Sequence, residues 1–322
     1  MEKVSAFFAM PSFERRSTKA LREFIKNQGE VGVVKTARIS EDQIVLQESM
    51  EELASYGVHD VPFINRKISR SLWEWVWVNT KDVQGRVVID ATCFTRELIG
   101  MLLFALSVRR NYLDEIQIQY VSTGPIGYAT QNKTLPDTER WLSRGVYSIR
   151  SVVGYPGDFR SERRRRVIAL AGHEQDRLME TIEFLEPDEL SISNERSNSS
   201  TVEGAAEVSQ DVVKALRDRI PVPRISAVDF SANSIIETYE SLNALLKTHI
   251  DENIAIVPMN TKLSFIGAAL AALHNQDARL IYAVPEEYNP RYSLDEGTLT
   301  SVDIISLIKG ARTTPVLQNQ AE

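Results

Sequence analysis

Two turns in this chain place hydroxyl groups and a cation just ahead of an apolar helical stretch. In "PMNTKLS", Asn260 and Thr261 precede Lys262, and in "DATCFTRE", Thr92 and Thr95 precede Arg96. Each turn follows a short strand-like run, apolar at 254–258 and at 87–89. Free backbone amides at a helix N-terminus attract anions, so a hydroxyl and a cation beside them suit a phosphate or a ribose. Thr or Asn at that position also caps a helix, which is the ordinary reading. Both turns carry the same chemical types, and that repetition favours a ligand cradle over two coincident caps.

A second pair of turns carries acids and bases. "PSFERRS" offers Ser12, Glu14 and Arg15, and "AGHEQDR" offers Gly172, His173, Glu174 and Arg177. A histidine beside a carboxylate is an acid/base pair in outline. The helix dipole alone also favours acids in a first turn, which accounts for the glutamates without chemistry. If the protein cleaves a nucleotide, the catalytic candidates are Glu174, Glu14 and His173.

The elements that position these turns read as a mostly parallel sheet covered by helices. Strands are expected at 4–10, 31–37, 86–92, 116–122, 166–172, 189–193, 224–230, 253–259 and 279–285. Helices are expected at 15–26, 41–56, 95–108, 176–185, 208–219, 234–249, 263–274 and 301–309. The Gly- and Pro-rich stretch 123–161 reads as an irregular connection, and "SNERSNSSTVEGAAE" as a polar loop. "GYPGDF" reads as a tight turn.

The turns recur because the chain repeats. Laying 7–25 over 167–185 aligns Ala9 with Ala169, Glu14 with Glu174, Glu23 with Glu183 and Phe24 with Phe184. Laying 86–106 over 253–273 aligns Ile89 with Ile256, Ile99 with Ile266, Gly100 with Gly267, Ala105 with Ala272 and Leu106 with Leu273. The following strands align Tyr120 with Tyr282. Three blocks in one order predict an α/β protein of two Rossmann-like halves related by an internal duplication. The expected boundaries are a first half at 1–130, a linker with a basic run at 131–166, a second half at 167–300, and a C-terminal helix and tail at 301–322.

The bulk composition narrows the field. The 322 residues carry a net charge of -7, with 43% hydrophobic and 25% charged residues. That is an ordinary globular balance, and not that of a protein coating nucleic acid. The one route to nucleic acid is the run Arg163, Arg164, Arg165, Arg166, although such runs are usually solvated faces. A single cysteine, Cys93, excludes an intrachain disulfide and suits a reducing cytoplasm. The scattered histidines give no metal-ligand spacing, so neither a metal nor another cofactor is expected. The apolar N-terminal stretch is too short for a signal-peptide core or a membrane span. No GxxxxGK[ST], GxGxxG, HExxH or nucleophile-elbow motif occurs. Trp73, Trp75 and Trp77 in "LWEWVW" suit core packing or a subunit interface better than base stacking.

The stretches "VIALAGHEQDR" and "IAIVPMNTKLSFIGAAL" resemble CARF domains, the CRISPR-associated Rossmann fold, and the tandem repeat resembles the SAVED arrangement of two such units. The Asn260-Thr261-Lys262 turn lacks the glycines common in that family, and "DATCFTRE" departs further. The resemblance implies a cytoplasmic sensor of a nucleotide second messenger, such as a cyclic oligonucleotide, in antiviral defence or a stress response. It would act through a partner effector protein, and a homo-oligomer is compatible with it. Asn260, Thr261, Lys262, Thr92, Thr95 and Arg96 would then meet phosphates or sugars, with Ser12, Arg15, Gly172, His173 and Arg177 on the facing turns. The ligand is expected between the halves, and the rivals are a nucleotide-cleaving enzyme using that same cleft and a scaffold subunit of a defence complex without ligand chemistry.

Overall fold

The computed structural model describes residues 3–27, 29–40, 42, 44–123, 136, 139–195, 214–215, 224–291, 293 and 295–311. The chain forms two compact units. The first comprises residues up to Leu142 together with Tyr288–Lys309, and the second is built on Ser143–Glu287.

In the first unit the order is β1 (Lys3–Ala9), α1 (Lys19–Lys26), β2 (Glu30–Thr36), α2 (Gln47–Ser55), α3 (Ser69–Thr80), β3 (Gly85–Asp90), α4 (Arg96–Val108) and β4 (Leu113–Val121). The second unit contains β5 (Ser143–Ser151), β6 (Arg165–Leu170), α5 (Gln175–Leu185), β7 (Glu189–Glu195), β8 (Arg224–Phe230), α6 (Ile235–Thr248), β9 (Asn253–Pro258), α7 (Lys262–His274) and β10 (Arg279–Tyr288). The chain then returns to the first unit as β11 (Leu299–Asp303) and α8 (Ile305–Gly310).

The first sheet has the strand order β11-β4-β3-β1-β2, and the second has β5-β10-β9-β6-β7-β8. Strands β4-β3-β1-β2 and β10-β9-β6-β7 therefore hold equivalent places in the two sheets, which supports the expected internal duplication. The pairings among β1 to β4 are parallel, as are those of β6 with β7 and β9, of β7 with β8, and of β9 with β10. Among the described residues, only β11, which pairs with β4, is antiparallel in the first sheet.

Burial explains why these segments take these forms. β9 is buried at every position and β6 at all but its first, as central parallel strands covered on both faces must be. The outer strands β2 and β8 are exposed or half-buried until their last residue, which alone is buried. Helices α4 and α7 are apolar almost all round and almost wholly buried, the expected state of a helix without a polar face. Leu21 and Phe24 of α1 join Phe7, Val88 and Val121 in the first core. Leu178 and Ile182 of α5 join Val167, Leu190, Val257 and Ile281 in the second.

Three expectations need correction. The segment 301–309 is not one helix, because its first residues extend β11 along β4 from Leu299↔Val121 to Asp303↔Gln117. The helix begins only at Ile305, whose amide is held by the Asp303 carboxylate at 3.0 Å. The connection 123–161 is not irregular throughout, since it contains β5 next to β10. Residues 57–84, assigned no element above, contain α3 with all three neighbouring tryptophans. Trp73 and Trp77 stack one turn apart with centroids 6.1 Å apart, and Trp75 packs inward against Phe8 and Phe94. The expected helix 208–219 and most of the polar loop before it lie outside the described residues.

Candidate functional site

In an open parallel sheet the ligand crevice lies beyond the carboxyl ends of two strands whose connections leave in opposite directions. In the first unit those strands are β1 and β3, and in the second β6 and β9. The turns singled out by sequence are the ones that follow these strands. The turn after β1 carries Ser12, Glu14 and Arg15, and the turn after β3 carries Thr92, Thr95 and Arg96. Their counterparts after β6 and β9 carry Gly172, His173 and Glu174, and Asn260, Thr261 and Lys262.

Within the second unit the two turns are joined. Asn260 Nδ2 donates to the Ala171 carbonyl, and Asn260 Oδ1 accepts from the Thr261 amide at 2.7 Å. Thr261 Oγ1 donates to the Ala232 carbonyl and accepts from the Ser264 amide at 3.1 Å, which makes it the cap of α7. A Cβ at Gly172 would lie 2.8 Å from the Met259 carbonyl oxygen and 2.9 Å from Asn260 Cα. Glycine is therefore required there for the turns to close together. Gly172→Ala is expected to cost about 1–3 kcal/mol, since backbone cannot yield as a side-chain tip can. Urea unfolding of the purified variant checks this.

The first unit repeats the design with other atoms. Thr95 Oγ1 accepts from the Leu98 amide at 3.2 Å and caps α4. Thr92 Oγ1 accepts from the Val121 amide at 3.0 Å, tying the turn after β3 to the end of β4. Asn260, Thr261, Thr92 and Thr95 thus hold backbone in place. Lys262 and Arg96 stand half-buried as the first helical residues of α7 and α4.

The glutamates have a shared arrangement that sequence only half disclosed. Glu14 and Arg16 are 2% and 1% exposed, and Arg16 Nε donates to Glu14 Oε2 at 2.7 Å. Arg16 Nη1 also donates to the Val121 carbonyl at 2.7 Å, with its guanidinium 5.8 Å from the Tyr120 ring centroid. In the second unit Arg177 Nη2 donates to Glu174 Oε2 at 2.9 Å, and the guanidinium lies 6.0 Å from the Tyr282 ring centroid. Arg177 Nη1 donates to Ser143 Oγ at 2.9 Å, and Ser143 Oγ donates in turn to Glu174. Each unit therefore contains a buried Glu–Arg pair under a tyrosine at the end of its first parallel strand. The aligned residues Glu14/Glu174 and Tyr120/Tyr282 were the legible signal. The arginine was masked because it lies two residues after the glutamate in one turn and three in the other.

Those pairs bear on catalysis. A carboxylate fixed on a buried guanidinium is stabilised as the anion and makes a weak proton acceptor. Burial holds the His173 imidazole below its ordinary value, although the Glu174 charge beside it acts in the opposite sense. The net effect favours the neutral form of the His173 imidazole.

The basic run is drawn into ion pairs. Arg166 is buried between Glu189 and Glu252, Arg164 lies 3.1 Å from Glu189, and Arg165 lies 3.6 Å from both Glu186 and Asp188. Arg163 Nη1 donates to the Ile250 carbonyl at 3.2 Å.

One cleft at the carboxyl edge of the first sheet has the size of a small-molecule site, at about 460 Å³. Ser12, Glu14 and Arg15 line it, together with residues the sequence did not nominate: Thr18 and Arg22, Glu48 and Glu52 of α2, and Glu296. Arg22 Nη1 donates to Glu52 at 3.0 and 3.3 Å, and Thr18 Oγ1 donates to the same carboxylate. These residues come from three separated segments, so no local spacing could have marked them. Among the described residues no group of His, Cys, Asp and Glu is arranged to hold a metal ion, and no helix is long and apolar enough to cross a membrane.

Residues 166–288 match a family model described as "HFX_2341_N:-like, N-terminal". The match runs from β6 to the end of β10 and spans less than half of the chain. No curated protein matches. The cytoplasmic domain of a prokaryotic cation chloride cotransporter is similar over 89% of this chain and 98% of its own, at 12% identity and a TM-score of 0.26. A periplasmic ribose ABC transporter from Conexibacter woesei is similar over 97% and 96%, at 11% identity and a TM-score of 0.21. Scores this low carry no argument about fold or ligand.

Proposed function

We propose that this chain is a cytoplasmic nucleotide-binding sensor, of the CARF/SAVED kind, that passes its signal to a partner effector in antiviral defence or a stress response. The observation that carries the reading is the cleft beside the turn after β1. It lies at the carboxyl edge of the first sheet, between the turn after β1 and the segment that leads into α2, and it carries Arg15 together with Arg22, which is paired with Glu52 and Glu296. Its hydroxyls and carboxylates, from Ser12, Thr18, Glu48 and Glu52, are acceptors for sugar hydroxyls and base amines. The sensor is preferred over the nucleotide-cleaving rival because Glu14 and Glu174 are both committed to buried arginines.

A thermal-shift screen against mono-, di- and cyclic nucleotides tests this. A ligand at a hundredfold excess over its Kd adds about 2.7 kcal/mol to the folded state, a readily measured rise in Tm. The shift should be lost in Arg15→Ala if the first-unit cleft binds, and in Lys262→Ala if the turn after β9 takes part. Recovering the nucleotide intact supports the sensor, and recovering a cleaved product supports the enzyme. The absence of any shift supports a scaffold without ligand chemistry.

A further inference from the structure

Two cations of α1 hold a carboxylate that belongs to no regular element. Arg22 Nη2 donates to Glu296 Oε2 at 3.0 Å, and Lys19 Nζ lies 3.8 Å from the same oxygen. Lys19 Nζ also donates to the Gly297 carbonyl at 2.7 Å. Lys19 and Arg22 are one turn apart, so they stand on one face of the helix. Residues 295–298 lie on the path from β10 to β11, and their far end is pinned to the first sheet. There Gly297 N donates to the Ser122 carbonyl, and Ser122 N to the Thr298 carbonyl, both at 3.0 Å.

The ion pair is placed for exchange. The side chains of Lys19, Arg22 and Glu296 are 21%, 27% and 30% exposed, so water reaches all three. A pair this open contributes little to stability, and an incoming anion does not have to breach a dry core. Burial disfavours charge on Arg22, but Glu52 and Glu296 outweigh it and raise its pKa further. Arg22 therefore presents a permanent positive charge.

Resting on the nucleotide reading of this cleft, we infer that Glu296 is a built-in occupant of an anion subsite formed by Lys19 and Arg22, and that a ligand phosphate takes its place. A phosphate monoester brings more charge and more acceptor oxygens than a carboxylate, and matches the planar fork of arginine. The rest of the lining sets the ligand class. Glu52 is itself held by Arg22 and Thr18, and together with Glu48 in the lining it disfavours any phosphate beyond the first. The cleft thus favours a nucleoside monophosphate over a triphosphate. Glu296 lowers the apparent affinity by the fraction of time for which it occupies the cations. Its displacement frees residues 295–298 from α1 while their pairing with Ser122 remains.

The test is calorimetric titration of the full chain and of Glu296→Gln with AMP, ATP and inorganic phosphate, with folding checked by melting. If Glu296 occupies the subsite most of the time, Glu296→Gln should bind AMP about tenfold tighter than the parent chain. The gain should vanish in the Lys19→Gln/Glu296→Gln double variant, and ATP should bind more weakly than AMP to both proteins. AMP binding that is unchanged or weakened by Glu296→Gln overturns the inference while leaving the nucleotide reading intact. If neither protein binds AMP, the nucleoside-monophosphate assignment is overturned, the wider nucleotide reading rests on the thermal-shift screen, and inorganic phosphate decides the subsite. Phosphate binding to Glu296→Gln that Lys19→Gln removes upholds an anion subsite for another ligand. Its absence overturns the subsite as well.

Discussion

Arg16→Ala is expected to destabilise the first unit by about 3–5 kcal/mol, because it strips the counterion from a buried carboxylate. Arg16 makes two contacts to Glu14 Oε2, at 2.6 and 2.7 Å, and supplies the donor for the Val121 carbonyl. Its removal takes the guanidinium counterion from the Glu14 carboxylate and a buried donor from the Val121 carbonyl. Arg16→Lys should fall between, since it keeps the charge but not the planar fork that reaches both partners. Replacing Glu14 by Gln and Arg16 by Met together should cost less than Arg16→Ala alone, because no buried charge is then left unpaired. Urea unfolding followed by tryptophan fluorescence measures this cleanly. Trp73, Trp75, Trp77 and Trp141 are all the tryptophans of the chain, and all lie in the first unit.

Arg166→Ala should have an effect of similar size on the second unit, about 3–5 kcal/mol, for a sharper reason. Arg166 is buried between two carboxylates, Glu189 and Glu252, and also donates to Ser191 Oγ at 2.9 Å. Alanine would leave the two acids facing one another with less compensation. Glu189 would retain Arg164 and Arg224, at 3.1 and 3.5 Å, on its exposed side. Adding Glu189→Gln to Arg166→Ala should therefore recover part of the loss, a coupling that a double-mutant cycle reads directly. Circular dichroism is the probe here, since residues 143–287 contain no tryptophan. The same geometry sets Arg166 apart from its neighbours in the run, since the side chains of Arg164 and Arg165 remain 62% and 42% exposed. Arg166 begins as one of four consecutive arginines and ends as the centre of an ion-pair network.

What the sequence made legible follows from what burial imprints locally. Every strand read from it falls on an observed strand, because β6, β9 and their neighbours are continuous apolar runs. β5 was missed because "SRGVYSIRS" is half-exposed and polar, and β11 because five residues of "LTSVD" carry no pattern. In α3, Trp73 and Trp77 lie on one face while Trp75 enters the core. A period-two spacing of tryptophans therefore disguised a helix. The repeat placed Glu14 with Glu174 and Tyr120 with Tyr282, so two members of each buried triad were visible. The cleft was not, because Arg22, Glu52 and Glu296 meet only through the packing of α1, α2 and the segment before β11. Contacts of that sequence separation leave no local trace.

The central claim is that a nucleotide binds at the carboxyl edge of the first sheet, and photoaffinity labelling tests it most directly. An azido-adenine nucleotide would be irradiated with the intact chain, and the modified peptides identified by mass spectrometry. The account predicts label in residues 12–22 and 44–52, which line the cleft, and its suppression by excess unlabelled nucleotide. Label that resists competition, or that falls only on peptides remote from the strand ends, would contradict it.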